Sequence, residues 1–313
     1  MTAYKTILAG AAFAALAAPA MAATFGSNAV VYALGNEGRT LVTLAAPGMS
    51  MPSGIALDFG GPLTSLDAIT YRPKTRELYG YDNESDTVFL VDPMTGSATV
   101  VATQAGLTGN DDLDIDFNNV LDAARIVTAE EENRVFFLNN MPPSFISATD
   151  LFYGATDPNF GLDPNIVANA YTNAVPDATS TVQYVLDSDW DILATLANNA
   201  GELTTVGELF VDGMAFDVTE DIGLDILSFA EGDNTAYALL TGGMGGGQSI
   251  FEVPLMADAM GRINLMPVMA LDGEFGTLQS LAVAPAPVPV PAALPLLAAG
   301  VAALGLAARR RRG

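Results

Sequence analysis

Between residues 66 and 102 the chain alternates short apolar runs with turn chemistry so tightly that only an antiparallel meander fits. LDAITY (66–71) is stopped by Arg72-Pro73, and ELYGY (77–81) is turned by Asp82-Asn83-Glu84-Ser85. TVFLV (87–91) ends at Asp92-Pro93-Met94-Thr95-Gly96, and SATVVA (97–102) follows. The runs are rich in β-branched and aromatic residues, and proline, glycine, asparagine and aspartate supply the breaks. The connections are too short for a parallel crossover, which needs a dozen residues or more. Four such strands make a sheet of the kind that forms one propeller blade.

The pattern recurs. Residues 113–117, 124–128 and 134–138 give a second set; 166–171, 181–186, 192–197 and 203–206 a third; 213–218, 225–229, 235–240, 249–253 and 262–267 a fourth. LQSLAV (278–283) then reads as the first strand of a sheet with nothing after it, while 29–34 and 40–44 lack a preceding first strand. Pairing the last strand with the first two solves both deficits and removes open edges. The expected fold is all-β: a β-propeller of about five four-stranded blades, six being the alternative count, closed by the N- and C-terminal strands. A β-sandwich is the competing architecture.

The two ends carry an address. Lys5 and the apolar run 7–18 read as a signal peptide, with Ala20 and Ala22 at the positions a signal peptidase recognises and Ala23 first after the cut. Residues 1–22 are thus expected to be removed, leaving a body over 23–283. A Pro/Ala linker (284–291) follows, too proline-rich for helix or sheet. Residues 292–308 have no polar side chain, and Arg309, Arg310, Arg311 and Arg312 follow them. Seventeen helical residues span about 26 Å, the short end of a membrane crossing. The arginines hold that end in the cytoplasm and put the body outside.

The body carries seven basic side chains against 36 acidic ones, a formal charge of −29 once Lys5 and the four terminal arginines are set aside. Such a surface repels nucleic acid and anionic lipid. The chain has no cysteine and no histidine. That excludes disulfides, thiolate or imidazole zinc sites, and Ser-His-Asp or Cys-His catalysis.

Val288, Pro289, Val290, Pro291 and Ala292, followed by the apolar run and the arginine cluster, resemble the VPxPA variant of the PEP-CTERM sorting signals. That resemblance, over residues 288–313, implies an exosortase-type membrane protease as a partner, cutting near the motif. Within the body, Asp67-Ala68-Ile69-Thr70-Tyr71-Arg72-Pro73, Leu78-Tyr79-Gly80 and Val91-Asp92-Pro93-Met94-Thr95-Gly96 resemble the bacterial domain-of-unknown-function family DUF4394. So do Asp114-Ile115-Asp116-Phe117-Asn118-Asn119, Ala170-Tyr171-Thr172-Asn173 and Gly201-Glu202-Leu203-Thr204-Thr205-Val206-Gly207. The resemblance runs from about residue 31 to 283, implies a propeller, and brings no activity with it.

Asp112, Asp114 and Asp116 alternate with apolar residues, so on a strand all three carboxylates share one face. Like charges so placed invite a hard cation, which makes calcium the candidate cofactor, none being strictly required. The competing reading is solvated strand ends, with turn caps or a pairing to Arg125. Asp187-Ser188-Asp189 reads first as a turn and residues 217–225 as an acidic loop. Arg72 and Arg125 are expected to form buried bridges to Asp67, Asp116 or Asp122 that hold the sheets in register. Gly242 to Gly247 lacks the Lys-Ser/Thr of a phosphate cradle and reads as a hairpin tip. Two functions fit: a displayed, non-catalytic propeller binding an envelope or matrix polymer or protein, or a calcium-dependent propeller hydrolase. Carboxylates converging on the axis from three or more blades would favour the second.

Overall fold

The computed structural model describes residues 25, 28–63, 65–103, 112–219, 222–242 and 247–286. The signal peptide, the sorting motif, the membrane helix and the arginine tail expected from sequence lie outside these. Among the described residues no helix is long and apolar enough to cross a membrane.

The chain opens with β1 (Ala29–Gly35), β2 (Thr40–Ala45) and β3 (Ser53–Ala56). The second sheet is β4 (Ala68–Arg72), β5 (Glu77–Asp82), β6 (Thr87–Val91) and β7 (Ala98–Thr103), a plain meander in the register the turns dictate. The third is β8 (Leu113–Asn118), β9 (Ala123–Thr128), β10 (Asn133–Phe137) and β11 (Ser144–Ser147). The next stretch holds β12 (Phe152–Tyr153), β13 (Ile166–Tyr171), β14 (Gln183–Asp187), β15 (Ile192–Leu196), β16 (Glu202–Val211) and β17 (Met214–Ala215). Then come β18 (Gly223–Ala230), β19 (Asp233–Thr241), β20 (Gln248–Val253), β21 (Arg262–Asn264), β22 (Met266–Ala270) and β23 (Gln279–Pro285).

Four sheets have the four-stranded form of propeller blades: β23-β1-β2-β3, β4 to β7, β8 to β11 and β18-β19-β20-β22. The fifth has seven strands, with β13 to β16 as its spine and β12, β17 and β21 added to β16. The last strand pairs antiparallel with the first, Val31 opposite Val283, so the chain's two ends share one sheet. Several details differ from the sequence reading. Residues 213–218 do not begin a sheet; Met214–Ala215 folds back on β16. The run 262–267 splits, β21 joining β16 in parallel and β22 completing the next sheet. Ala284 and Pro285, assigned to the linker, belong to β23, where a terminal strand position tolerates proline.

The first strands of the sheets, β4, β8, β13, β18 and β23, pack side by side in a closed cycle. They are buried on both faces, as the uninterrupted burial of Leu113–Asn118 and Ile166–Tyr171 shows, whereas no residue of β3 or β11 is fully buried. The apolar core is correspondingly divided into five clusters, each bridging neighbouring sheets. Between the first two sheets Leu66 is fully buried with Leu34, Leu41 and Phe89, worth roughly 1.5–3 kcal/mol as one side chain. Gly38, at φ 73°, makes this fit possible. A Cβ there would lie 2.0 Å from the Leu66 carbonyl oxygen, and the Leu66 N–H donates to the Gly38 carbonyl at 3.0 Å.

Candidate functional site

Neighbouring sheets do not share a ladder, so the N–H groups along the edges of the inner strands need other acceptors. Side chains supply them. Asp114 Oδ2 accepts from Asn169 N at 2.9 Å and Asp116 Oδ2 from Tyr171 N at 2.7 Å, tying β8 to β13. Asp225 Oδ2 accepts from Val283 N at 2.5 Å, tying β18 to β23. Ser280 Oγ accepts from Ile69 N at 2.9 Å, tying β23 to β4. Thr70 Oγ1 donates to Asp116 Oδ1 at 2.9 Å, tying β4 to β8. The other oxygen of each aspartate takes the next N–H in its own chain: Ile115 for Asp114, Phe117 for Asp116, Ile226 for Asp225. Ser280 can reach β4 because β23 is bulged there, its φ at 52° and the register shifted by one opposite Ala33 and Leu34.

Burial sets the electrostatics of this ring. Asp114, Asp116 and Asp225 lie inside the protein, and desolvation pushes all three carboxyls above the usual carboxylate range, Asp225 up to about 7. The charge of Asp225 raises the other two further. Two of the three aspartates expected to line one face are therefore brought together with Asp225, and from two sheets rather than three. Asp112 stands apart, at the bend before β8, where its carbonyl accepts the Ala129 N–H at 3.0 Å. Among the described residues no three Asp, Glu, His or Cys side chains gather in a way that could hold a metal ion.

The two arginines behave differently. Arg72 meets Asp122 with both arms, Nε to Oδ1 at 2.7 Å and Nη2 to Oδ2 at 2.5 Å, as expected. It also reaches Asn139 at 2.9 Å and lies over the Phe117 ring. Burial raises the Asp122 carboxyl, but the bonds from Arg72 and Asn139 outweigh it and hold the group below its ordinary range. Arg125 makes no bridge to Asp67, Asp116 or Asp122. It is 1 % exposed, and its partners are neutral oxygens: Tyr171 Oη at 2.8 Å, Asn199 Oδ1 at 2.6 Å, and Asn133 Oδ1. Asp116 is drawn instead to the main chain of β13, which is why the expected pair does not form.

Asp187 is the last residue of β14 and caps the turn read after it, accepting from Asp189 N and Trp190 N, with the Tyr153 hydroxyl donating to it. Burial raises its carboxyl to about 6. Asp225, read both as the end of the acidic loop 217–225 and as the start of the strand run 225–229, sits inside β18. The signal that would have found it is a repeated tripeptide, Leu113-Asp114-Ile115 and Leu224-Asp225-Ile226, which marks equivalent inner-strand positions.

Among the described residues a concavity lies between the first two sheets. It is a cleft of about 820 Å³. Tyr32 and Tyr71, Pro73 and Leu78, and Pro93 and Met94 form much of its walls. Val175, Pro176 and Phe229 reach in from the ends of the β13 and β18 sheets, and Ala284, Pro285 and Ala286 complete the rim. Arg76, Glu77 and Asp92 are its charged lining. Burial raises the hydroxyl pKa of both tyrosines, so they stand neutral and present ring faces with a hydrogen-bonding tip. This cleft was not legible from the residues alone, since its walls are apolar side chains that pattern reading assigns to core.

Blade-form sheets arranged about a ring of buried first strands, with the last strand closed onto the first, define a β-propeller. Residues 57–271 match the family described as domain of unknown function (DUF4394), and the chain belongs to that family. No curated protein matches it significantly. Among solved structures, a protein from Lactobacillus plantarum is similar at 13 % identity with a TM-score of 0.41, covering 77 % of this chain and 66 % of that one. An auxiliary nutrient binding protein from Bacteroides ovatus matches at 13 % identity and TM-score 0.41, covering 66 % and 55 %. YCF48 bound to D1 peptide matches at 10 % identity and TM-score 0.38, covering 84 % and 76 %. The chain spans less than two thirds of the length of the first two.

Proposed function

We propose that this protein is an exported propeller, each of its five sheets one blade, which is sorted to the cell surface or extracellular matrix and binds there without catalysis. One observation carries the non-catalytic part. Every carboxylate oxygen of Asp114, Asp116 and Asp225 already accepts a main-chain N–H, so using one as a base or nucleophile would break the bonds that join the sheets. The cleft offers the opposite chemistry. It is apolar and aromatic with few charges, suited to holding a surface polymer or polypeptide rather than activating water.

The address comes from the ends. Signal peptidase would cut between Ala22 and Ala23. The segment 292–308 would hold the body on the outer side of the membrane, with Arg309 to Arg312 inside, until an exosortase-type protease acts near Val288 to Ala292. The test is fractionation of cells producing the full chain beside a Pro289→Ala/Pro291→Ala variant. The body should reach the surface or medium in the first and stay with the inner membrane in the second. Equal distribution of the two would overturn the sorting reading, and cytoplasmic retention of both the whole proposal.

A further inference from the structure

Six of the body's seven basic side chains are engaged among the described residues. Arg72 and Lys74 meet Asp122, Arg39 meets Glu37 at 3.2 Å, and Arg134 meets Glu132 at 3.4 Å. Arg262 lies over the Phe210 ring, and Arg125 is buried among neutral oxygens. Arg76 is the exception. It is exposed on the lining of the cleft, held by the turn after β4 through its N–H to Arg72 O at 2.9 Å. Its guanidinium makes no ion pair or hydrogen bond with any described residue, and neither do the hydroxyls of Tyr32 and Tyr71 on the same lining. Burial raises the Tyr71 hydroxyl, the Arg76 charge lowers it and Tyr32 raises it, so the three groups lie within one another's electrostatic reach. The two acids of the cleft are already in use. Glu77 Oε2 accepts from the Tyr79 hydroxyl at 3.0 Å, and Asp92 caps its turn, accepting from Met94 N at 2.9 Å and Thr95 Oγ1 at 2.7 Å.

Resting on the reading of the cleft as the binding face, we propose that it takes a polypeptide segment of another molecule. That segment is apolar or aromatic over most of its length and carries one carboxylate, gripped by Arg76 with the Tyr71 and Tyr32 hydroxyls as further donors. The donor set chooses the charge. A guanidinium fork matches a planar carboxylate, whereas a cationic group would meet Arg76 without compensation. The walls choose the body. Sugar hydroxyls would lose water against apolar side chains that offer nothing in return, while aliphatic and aromatic residues gain by burial. The rim chooses the size. Met94 and Phe229, 84 % and 52 % exposed, stand on different sheets, and an occupant that covers both is longer than a compact organic acid. Tyrosine, phenylalanine, methionine and arginine together are also the mixture that protein interfaces concentrate at their centres. A body at −29 repels a strongly acidic partner at a distance, so the anion that Arg76 meets is a single one in an otherwise weakly charged segment.

The test is a library of short random peptides, displayed with free C-termini and selected on the full chain in detergent. Enriched peptides are synthesised and their affinities measured by fluorescence anisotropy. They should hold one Asp, one Glu or a needed free C-terminus among proline, aromatic and aliphatic residues. Amidating the terminus separates the two sources of the carboxylate. Arg76→Gln should weaken binding about tenfold or more, the scale of one lost charge-assisted hydrogen bond. Converting the peptide's carboxylate to an amide should cost a similar factor on the wild type and almost nothing on Arg76→Gln. Phe229→Asp and Met94→Asp, at exposed positions, should each abolish binding without lowering the melting midpoint. Peptides lost on these two variants but indifferent to Arg76→Gln, or losses that simply add, would overturn the proposal and leave the cleft as the binding face. Peptides blind to both variants, or no enrichment over the bare support, would overturn the cleft reading as well. Displacement of the peptide by an equal concentration of 3-phenylpropionate would give the site to small acids and overturn the polypeptide. None of these readouts depends on whether the chain is exported or sorted.

Discussion

The buried aspartates make stability depend on pH in the direction opposite to that of most acidic proteins. Asp225 ionises near 3.8 when unfolded and near 7 when folded. Between those values the native chain holds a proton that the unfolded chain has released, so stability falls as pH rises, by about 1.4 kcal/mol per unit for one proton. Over the roughly three units between the two values this group alone contributes about 4 kcal/mol, present near pH 4 and lost above pH 7. Asp114 and Asp116 are shifted the same way and add to the trend. Asp122, held low by Arg72, pulls in the other direction only as pH falls through its own depressed value. From pH 8 to pH 5 only about two of those units are crossed, roughly 2.7 kcal/mol, so for a body of this size the melting midpoint should climb by about seven degrees. Relief of surface repulsion also favours acid, so the decisive measurement is the same scan on Asp225→Asn. Its curve should be flatter by about one proton's slope. Wild type and Asp225→Asn running parallel between pH 5 and pH 8 would refute the reasoning.

Gly223→Ala should be costly although its φ is ordinary. Its Cβ would lie 2.4 Å from the Leu281 main-chain nitrogen and 2.5 Å from the Ser280 carbonyl carbon, forcing β18 from β23 at an expected 2–3 kcal/mol in denaturant melts. Melting with excess calcium and with chelator should give one midpoint; a calcium-dependent rise of several degrees would bring back the hydrolase.

Much of the framework was legible because short meander strands announce themselves locally. The run 87–91 is β6 and the run 166–171 is β13, residue for residue, and turn residues such as Asp92 to Gly96 set their limits. The closure of β23 onto β1 was legible as a count of missing partners. Outer strands were not: β3 and β11 are short and half-exposed, so they carry no alternating pattern. The candidate site was legible only in part. Alternation put Asp114 and Asp116 on one face, but charge repulsion suggested a cation where the actual partners are main-chain N–H groups, which look alike at every residue. Arg125 shows the same limit, since a buried guanidinium satisfied by Tyr171, Asn133 and Asn199 has no local signature.

The bond from Ile69 N to Ser280 Oγ joins residues 211 apart in sequence. Holding so large a loop closed adds little to the final free energy, because closure entropy grows only with the logarithm of length. Its effect is on timing. Until β23 is made and delivered, β1 and β4 each present a bare flank, and the sheets behind them have no seal. Among the described strands, completion of the fold is therefore expected to wait for β23 to join β1. If the chain is exported as proposed, this topology delays completion of the fold until β23 has crossed the membrane.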